Sequence, residues 1–254
     1  MRYIFIQGER RNFIISAATL STSLNNPLNI TSMKILFPFS IIIAFLLCCS
    51  SCIKKECRLA GFPEFELPVT LSPALDTFKI GDTMSISCIF EDVVYERASG
   101  QWYTLQDINF FPETAIIRLD TLDVLDSFSD FDIIVSEEYD YYLFQYSSGR
   151  KALIGEYNYE NNTYSLEYQL VPKKKGLYYL RHGSGISVLG EGQEFEGQCC
   201  KQKTIYTYSK LNEGGDNNVD FLLQSLDTSY IVYVYPRRDT KFHNFGGYAF
   251  YVTE

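Results

Sequence analysis

Histidine is nearly absent from this chain: His182 and His243 are the only two among 254 residues. Any Ser-His-Asp or Cys-His site therefore has to use one of them. The first sits in Arg181-His182-Gly183-Ser184-Gly185, a glycine-rich turn after an apolar segment and not the strand-to-helix elbow that presents a G-x-S-x-G nucleophile. Cys57, Cys88, Cys199 and Cys200 show no C-x-x-C spacing and no neighbouring histidine pair, which removes the ordinary arrangements for structural zinc. Positive charge is scarce too, with 22 basic against 31 acidic side chains and a net charge of −9. A phosphate backbone is gripped by a basic stripe, so nucleic acid is excluded as a partner. No apolar run reaches the roughly 20 residues that carry a helix across a bilayer.

What stands ahead of residue 53 is an address. Met33 to Cys52 reads M-K-I-L-F-P-F-S-I-I-I-A-F-L-L-C-C-S-S-C, with one lysine, a largely apolar stretch from Ile35 to Leu47, then Ser50 and Ser51 before Cys52. A short basic start, an apolar centre and small residues at the cut are the chemistry of a secretory signal. The segment resembles a bacterial lipoprotein signal with its lipobox. That resemblance implies that residues 33–51 are the signal peptide, that the Cys52 thiol receives a diacylglycerol, and that the new amino terminus is acylated. Cys48 and Cys49 compete for the role, but only Cys52 follows two small residues and precedes polar sequence. Met33-Lys34 already serves as a signal start, so residues 1–32 are expected to be a non-native or disordered extension. A genuine long amino-terminal region is the alternative.

Loss of residues 1–51 removes four basic side chains (Arg2, Arg10, Arg11, Lys34) and one acidic one (Glu9), leaving 18 against 30 and a net charge of −12. Such a surface has no electrostatic hold on anionic lipid. The acyl chains are then the anchor, each buried methylene contributing about 0.8 kcal/mol. The partners expected are thus the lipid bilayer, through acylated Cys52, and an envelope protein or glycan.

From residue 65 onward the apolar residues alternate instead of recurring every 3.6 positions. Phe78-Lys79-Ile80 and Met84-Ser85-Ile86-Ser87-Cys88-Ile89-Phe90 read as strands with Gly81-Asp82 as the turn between them. Further strands are expected at 115–119, 132–136, 141–146, 152–159, 164–171, 177–181, 204–210, 230–236 and 248–252, with a hairpin closed by Glu160-Asn161-Asn162. Only Asn218 to Leu226 has a helical stripe, capped by Asn218 or Asp216. The expectation is an all-β domain over residues 65–254 with one short helix, joined to the membrane by a lipidated tether at 52–64.

Gly81, Met84, Ile86, Cys88, Trp102, Gly176 and Tyr178 resemble the immunoglobulin pattern of glycine, alternating apolar strand and cysteine, then tryptophan, then the glycine and tyrosine that lead to a second cysteine. The resemblance implies an immunoglobulin-like β-sandwich with insertions. Leu180 stands where the second cysteine would be, so the sandwich is carried over without its disulfide. The whole chain, with P-V-T-L-S-P, F-K-I-G-D-T and the terminal G-G-Y-A-F-Y-V, also resembles small lipoproteins of Bacteroidota, which implies a cell-envelope location with the outer membrane expected. Ile53-Lys54-Lys55-Glu56 departs from the acidic stretch that accompanies surface display in that phylum, and the membrane face stays open.

Candidate sites are few. Asp120, Asp123, Asp126, Asp130, Asp132, Glu137, Glu138 and Asp140 follow no cation loop and read as a solvated acidic connection. Asp216, Asn218, Asp220 and Asp227 match positions 1, 3, 5 and 12 of a calcium loop, but Phe221 replaces the glycine required at position 6, and a capped helix explains them better. No metal and no cofactor is expected. Cys57 with Cys199 or Cys200 is a candidate disulfide in an oxidising compartment. Trp102, Tyr103, Tyr141 and Tyr142 are candidates for stacking on sugar rings. The expected function is a membrane-tethered, non-enzymatic binding or envelope-structural role. A glycan-binding accessory lipoprotein is the first alternative and a carboxylate-dependent hydrolase the second. If Cys52 is the acceptor, Cys52→Ala loses incorporated fatty acid in metabolic labelling while Cys49→Ala keeps it; undiminished label in the former overturns the assignment.

Overall fold

The computed structural model describes residues 61–106, 108–122, 127–183, 185–195 and 201–254, with the backbone alone at 185–191. The signal segment, Cys52, Cys57, Cys199, Cys200, Asp123 and Asp126 lie outside the described residues. In chain order the strands are β1 (Glu64–Ser72), β2 (Thr77–Lys79), β3 (Met84–Glu91), β4 (Val93–Glu96), β5 (Gln101–Thr104), β6 (Glu113–Arg118), β7 (Phe131–Val135) and β8 (Tyr141–Gln145). They continue with β9 (Lys151–Gly155), β10 (Asn158–Glu160), β11 (Thr163–Pro172), β12 (Gly176–Gly183), β13 (Gly185–Gln193), β14 (Gln202–Leu211) and β15 (Gly247–Thr253).

These strands form two sheets. One runs β10-β11-β3-β1-β14-β13, with β7 also on β11 and the β4–β5 hairpin on β1; the other runs β2-β15-β12-β6-β9-β8. Within the first, β1-β3-β11-β7 reproduces the A-B-E-D order of an immunoglobulin sheet, and in the second β15-β12-β6 reproduces G-F-C. The domain is therefore an immunoglobulin-like β-sandwich, defined by strand order. Its insertions are the β4–β5 hairpin between the B- and C-like strands, β8 to β10 between the D- and E-like strands, and residues 184–246 between the F- and G-like strands. Tyr178 Oη lies 3.0 Å from both Lys174 O and Asp130 Oδ2, so the tyrosine at the start of β12 ties its own entry turn down, as the tyrosine corner of that fold does.

Alternation explains the core. On β3, Met84, Ile86, Cys88 and Phe90 are buried while Ser85 and Ser87 are not; on β11 the buried set is Tyr164, Leu166, Tyr168 and Leu170. Side chains two apart share a face, and these faces meet Tyr178, Leu180, Tyr248 and Phe250 of the opposite sheet in one cluster. Gly81, at φ 90°, does turn the chain between β2 and β3, but it passes it from one sheet to the other and makes no hairpin. The expected hairpin at Asn161-Asn162 is present, both residues at positive φ (52° and 63°) as a two-residue turn of this hand requires.

Four strands escape the alternation test. In β1, Phe65, Leu67, Val69 and Leu71 are all buried, yet Pro68 argues against a central strand; its side chain is exposed and its partner in the parallel pair with β14 is Lys210. β4 and β5 are short, and β13 is rich in glycine. Glu96, at the end of β4, is fully buried. Burial alone would raise its carboxyl, but Ser99 Oγ and the backbone N–H groups of Glu64, Ser99 and Ala98 donate to it and hold it below the ordinary range.

Three expectations fail. Residues 230–236 are helical, as Tyr230–Val234 followed by Tyr235–Arg237 and then Asp239–His243, not a strand. The run Y-I-V-Y-V-Y has strand propensity, but Tyr230, Val234 and Phe242 recur at helical spacing and pack with Leu119, Leu177, Tyr179, Val219 and Leu222 on the outer face of the second sheet. Trp102 is not the buried tryptophan of an immunoglobulin C strand. It lies on β5, in the inserted hairpin, and is 66% exposed. The helix expected at 218–226 is present as Val219–Gln224, but Asn218 adopts a left-handed φ of 59° and makes no side-chain cap; its Nδ2 donates to Ala249 O at 2.9 Å instead. Because Ile86 is buried and its neighbours are not, Ile86→Ala is expected to cost about 2 to 4 kcal/mol in urea unfolding and Ser85→Ala well under about 1.

Candidate functional site

The two histidines separate at once. His182, on β12, is fully buried, and its Nε2 lies 3.4 Å from the Cys88 thiol across the sandwich. Its Nδ1 lies 3.0 Å from Thr114 Oγ1 and 3.2 Å from Tyr168 Oη, which are 2.5 Å from each other. Thus the neighbour of the B-strand cysteine is His182, two residues past Leu180. Burial pushes the imidazole down to about 4 and the thiol up to about 12. Both are neutral at pH 7, without the imidazolium–thiolate character of a nucleophilic pair. The buried Tyr157 hydroxyl acts on the thiol as well, lowering it against the larger effect of burial. The cluster is a polar seam in an aromatic core.

Several of the acidic candidates are engaged where they are described. Asp120 pairs with Arg118 at 2.6 Å, Asp132 with Lys173 at 2.8 Å, and buried Asp130 lies 3.6 Å from both Arg118 and Lys174. Asp220 accepts from Tyr235 Oη and Asp227 from the Ser229 backbone. Among the described residues no three or more His, Cys, Asp or Glu side chains gather as metal ligands.

The four aromatic candidates do not converge. Trp102 and Tyr103 belong to β5 of the first sheet, Tyr141 and Tyr142 to β8 of the second. Alternation splits each pair. Tyr103 packs edge-on against Phe65 and Phe195, and Tyr141 against Tyr168, leaving Trp102 and Tyr142 outward. Burial lifts the Tyr141 hydroxyl far above its ordinary value.

What the sequence did not reveal is a cleft beside β8. It has a volume of about 340 Å³ and is lined by Glu113, Ala115 and Ile117 of β6, Arg181 of β12, and Tyr146 and Arg150 around the β8–β9 turn. Tyr146 Oη donates to Glu113 Oε2 at 2.6 Å, and Arg181 lies 3.7 Å from Glu113 Oε1. Burial and this bond to a carboxylate lift Tyr146 to about 12. Arg181 also rests on the Phe245 ring at 4.9 Å. Arg150 is exposed and, with Arg181, acts on the hydroxyl of Tyr230 at the edge of the helical cover, which burial raises and the two cations lower. Tyr142 and Phe144 of β8, and Tyr146 just beyond it, share one outer face by their two-residue spacing, with Phe144 and Tyr146 4.8 Å apart edge-on. The only sequence signal for this site was the aromatic run Y-Y-L-F-Q-Y.

No protein-family model and no curated protein matches the chain. Among solved structures it is similar to the human F-spondin reeler domain, at 13% identity over 63% of this chain and 93% of that one, with a TM-score of 0.28. It is also similar to a cohesin module from a Clostridium perfringens family 33 glycoside hydrolase, at 11% identity over 59% and 99%, with a TM-score of 0.27.

The seam predicts a pH response. An unfolded histidine titrates near 6.5 and folded His182 near about 4, so the unfolded state takes up the extra proton. Stability is full above about 6.5, falls as pH drops toward about 4 by about 3 kcal/mol in all, and is level below. Urea unfolding of wild type against His182→Leu between pH 7 and 4 isolates this part, because the carboxylates titrate alike in both; parallel curves would remove the assignment.

Proposed function

We propose that this chain is a lipid-anchored, non-enzymatic binding module of a bacterial cell envelope, held at the membrane through Cys52, and that its ligand is a glycan bearing carboxylate groups, taken in the cleft beside β8. The observation that carries the ligand class is an exposed aromatic strip that leads to a cationic cleft: Tyr142 and Phe144 are 58% and 42% exposed, Phe144 packs edge-on against Tyr146, and Tyr146 lines the cleft together with Arg150 and Arg181. Aromatic faces stack on sugar rings, and guanidinium groups bind carboxylates by paired hydrogen bonds. Glu113 supports binding over hydrolysis, since Tyr146 and Arg181 already engage its two oxygens. Anchoring rests on the Ser50-Ser51-Cys52 step; among the described residues no helix is long and apolar enough to cross a membrane.

Native-gel electrophoresis through polygalacturonate, with dextran as the neutral control, tests this. A chain of net charge −12 is repelled by a polyanion, so retardation has to come from a local site. Retardation by polygalacturonate is expected, at least several-fold weaker in Arg150→Ala and lost in Tyr142→Ala with Phe144→Ala. Free migration in both gels, or retardation indifferent to these residues, overturns the glycan reading.

A further inference from the structure

We infer that β8 is a pairing edge through which two copies of this chain associate, strand against antiparallel strand, about a two-fold axis at Leu143. Among the described residues β8 is the last strand of its sheet and pairs only with β9. Tyr146 N bonds Arg150 O and Glu156 N bonds Asp140 O, at 2.9 and 3.1 Å. In an antiparallel ladder the bonded pairs alternate, so the even-numbered residues of β8 bond β9, and the backbone N–H and C=O of Tyr141, Leu143 and Gln145 point away from the sheet.

Free edges are normally defended by charge, proline, a bulge or brevity. β8 is five residues long and has none of these: Y-Y-L-F-Q, with register unbroken against β9. Its apolar side chains stand open, Leu143 at 46% exposure with Tyr142 and Phe144 on the other face.

Charge selects a second copy as the occupant. The turn before β8 is acidic, Glu137-Glu138-Tyr139-Asp140, and the turn after it carries Arg150. Antiparallel self-pairing about Leu143 sets Tyr141 opposite Gln145 and Tyr142 opposite Phe144 of the other copy, in cross-strand pairs that include aromatic on aromatic. It also brings the acidic turn of each copy beside Arg150 of the other, twice by symmetry. The contact is isologous, so it closes at two and buries both edges. Pairing uses the backbone edge of β8, whereas the cleft lies toward β6 and β12, and the inference stands without the glycan reading.

Sedimentation of the full chain in detergent, over a range of protein concentrations and without glycan, tests it. Wild type is expected to reach the mass of two chains. Leu143→Lys places two cations together on the axis, and Gln145→Pro removes an N–H that faces away from β9 without breaking the ladder; both are expected to stay at one chain while melting as cooperatively as wild type. If Leu143→Lys fails to melt cooperatively, Gln145→Pro decides alone. Wild type at one chain throughout, assembly that continues beyond two, or a folded variant that still pairs overturns the inference.

Discussion

The packing of β3 and β11 against β12 and β15 is the contact on which the rest of the domain depends. Met84, Ile86, Leu166 and Leu170 come from one sheet, and Tyr178, Leu180, Tyr248 and Phe250 from the other. Neither sheet can bury an apolar face alone, and the layered solution is what lets a chain of this composition fold. The second sheet is covered twice. Leu177, Tyr179 and Ala249 point away from the sandwich and lie under Val219, Leu222 and Phe242, so β12 and β15 are almost continuously buried. A strand locked on both faces is a rigid base, and Arg181 of the cleft stands on it.

Within that core the polar seam of Cys88, Thr114, Tyr168 and His182 occupies the region where an immunoglobulin domain crosslinks its sheets. The seam joins the sheets by hydrogen bonds, which discriminate by geometry, where a disulfide joins them by a covalent constraint. Its groups are neutral because the interior penalises charge, and the same penalty removes the reactivity that a cysteine beside a histidine has at a surface.

Electrostatics divides the surface. The chain is acidic, with a net charge of −9, yet Arg150 and Arg181 converge at one cleft, and Arg181 is steadied both by Glu113 and by the face of Phe245. Several described carboxylates are engaged by lysine, arginine or tyrosine. Asp130, for instance, is held from one side by Tyr178 and from the other by Arg118 and Lys174.

The period-two patterns of β3 and β11 were legible in the sequence because each strand has one face in the core and the alternation is local. The tyrosine corner at Tyr178 was legible for the same reason, as a short motif at a fixed offset. β1 was hidden by Pro68, whose ring is harmless only because it points outward, a fact of sheet position. Residues 230–236 have the composition of a strand, and only the bare outer face of the second sheet makes them a helix: side-chain packing across the chain outweighs a local preference of a fraction of a kcal/mol per residue. The cleft was illegible for a stronger reason, since Glu113, Tyr146, Arg150 and Arg181 come from two strands and a turn and have no spacing to read. By itself the sequence determined the layered β architecture and the alternating core, which follow from the order of neighbours along the chain. Which cysteine meets which histidine, which aromatics face outward and where cations gather were decided by tertiary structure, because those contacts join residues whose distance apart is set by strand order and register.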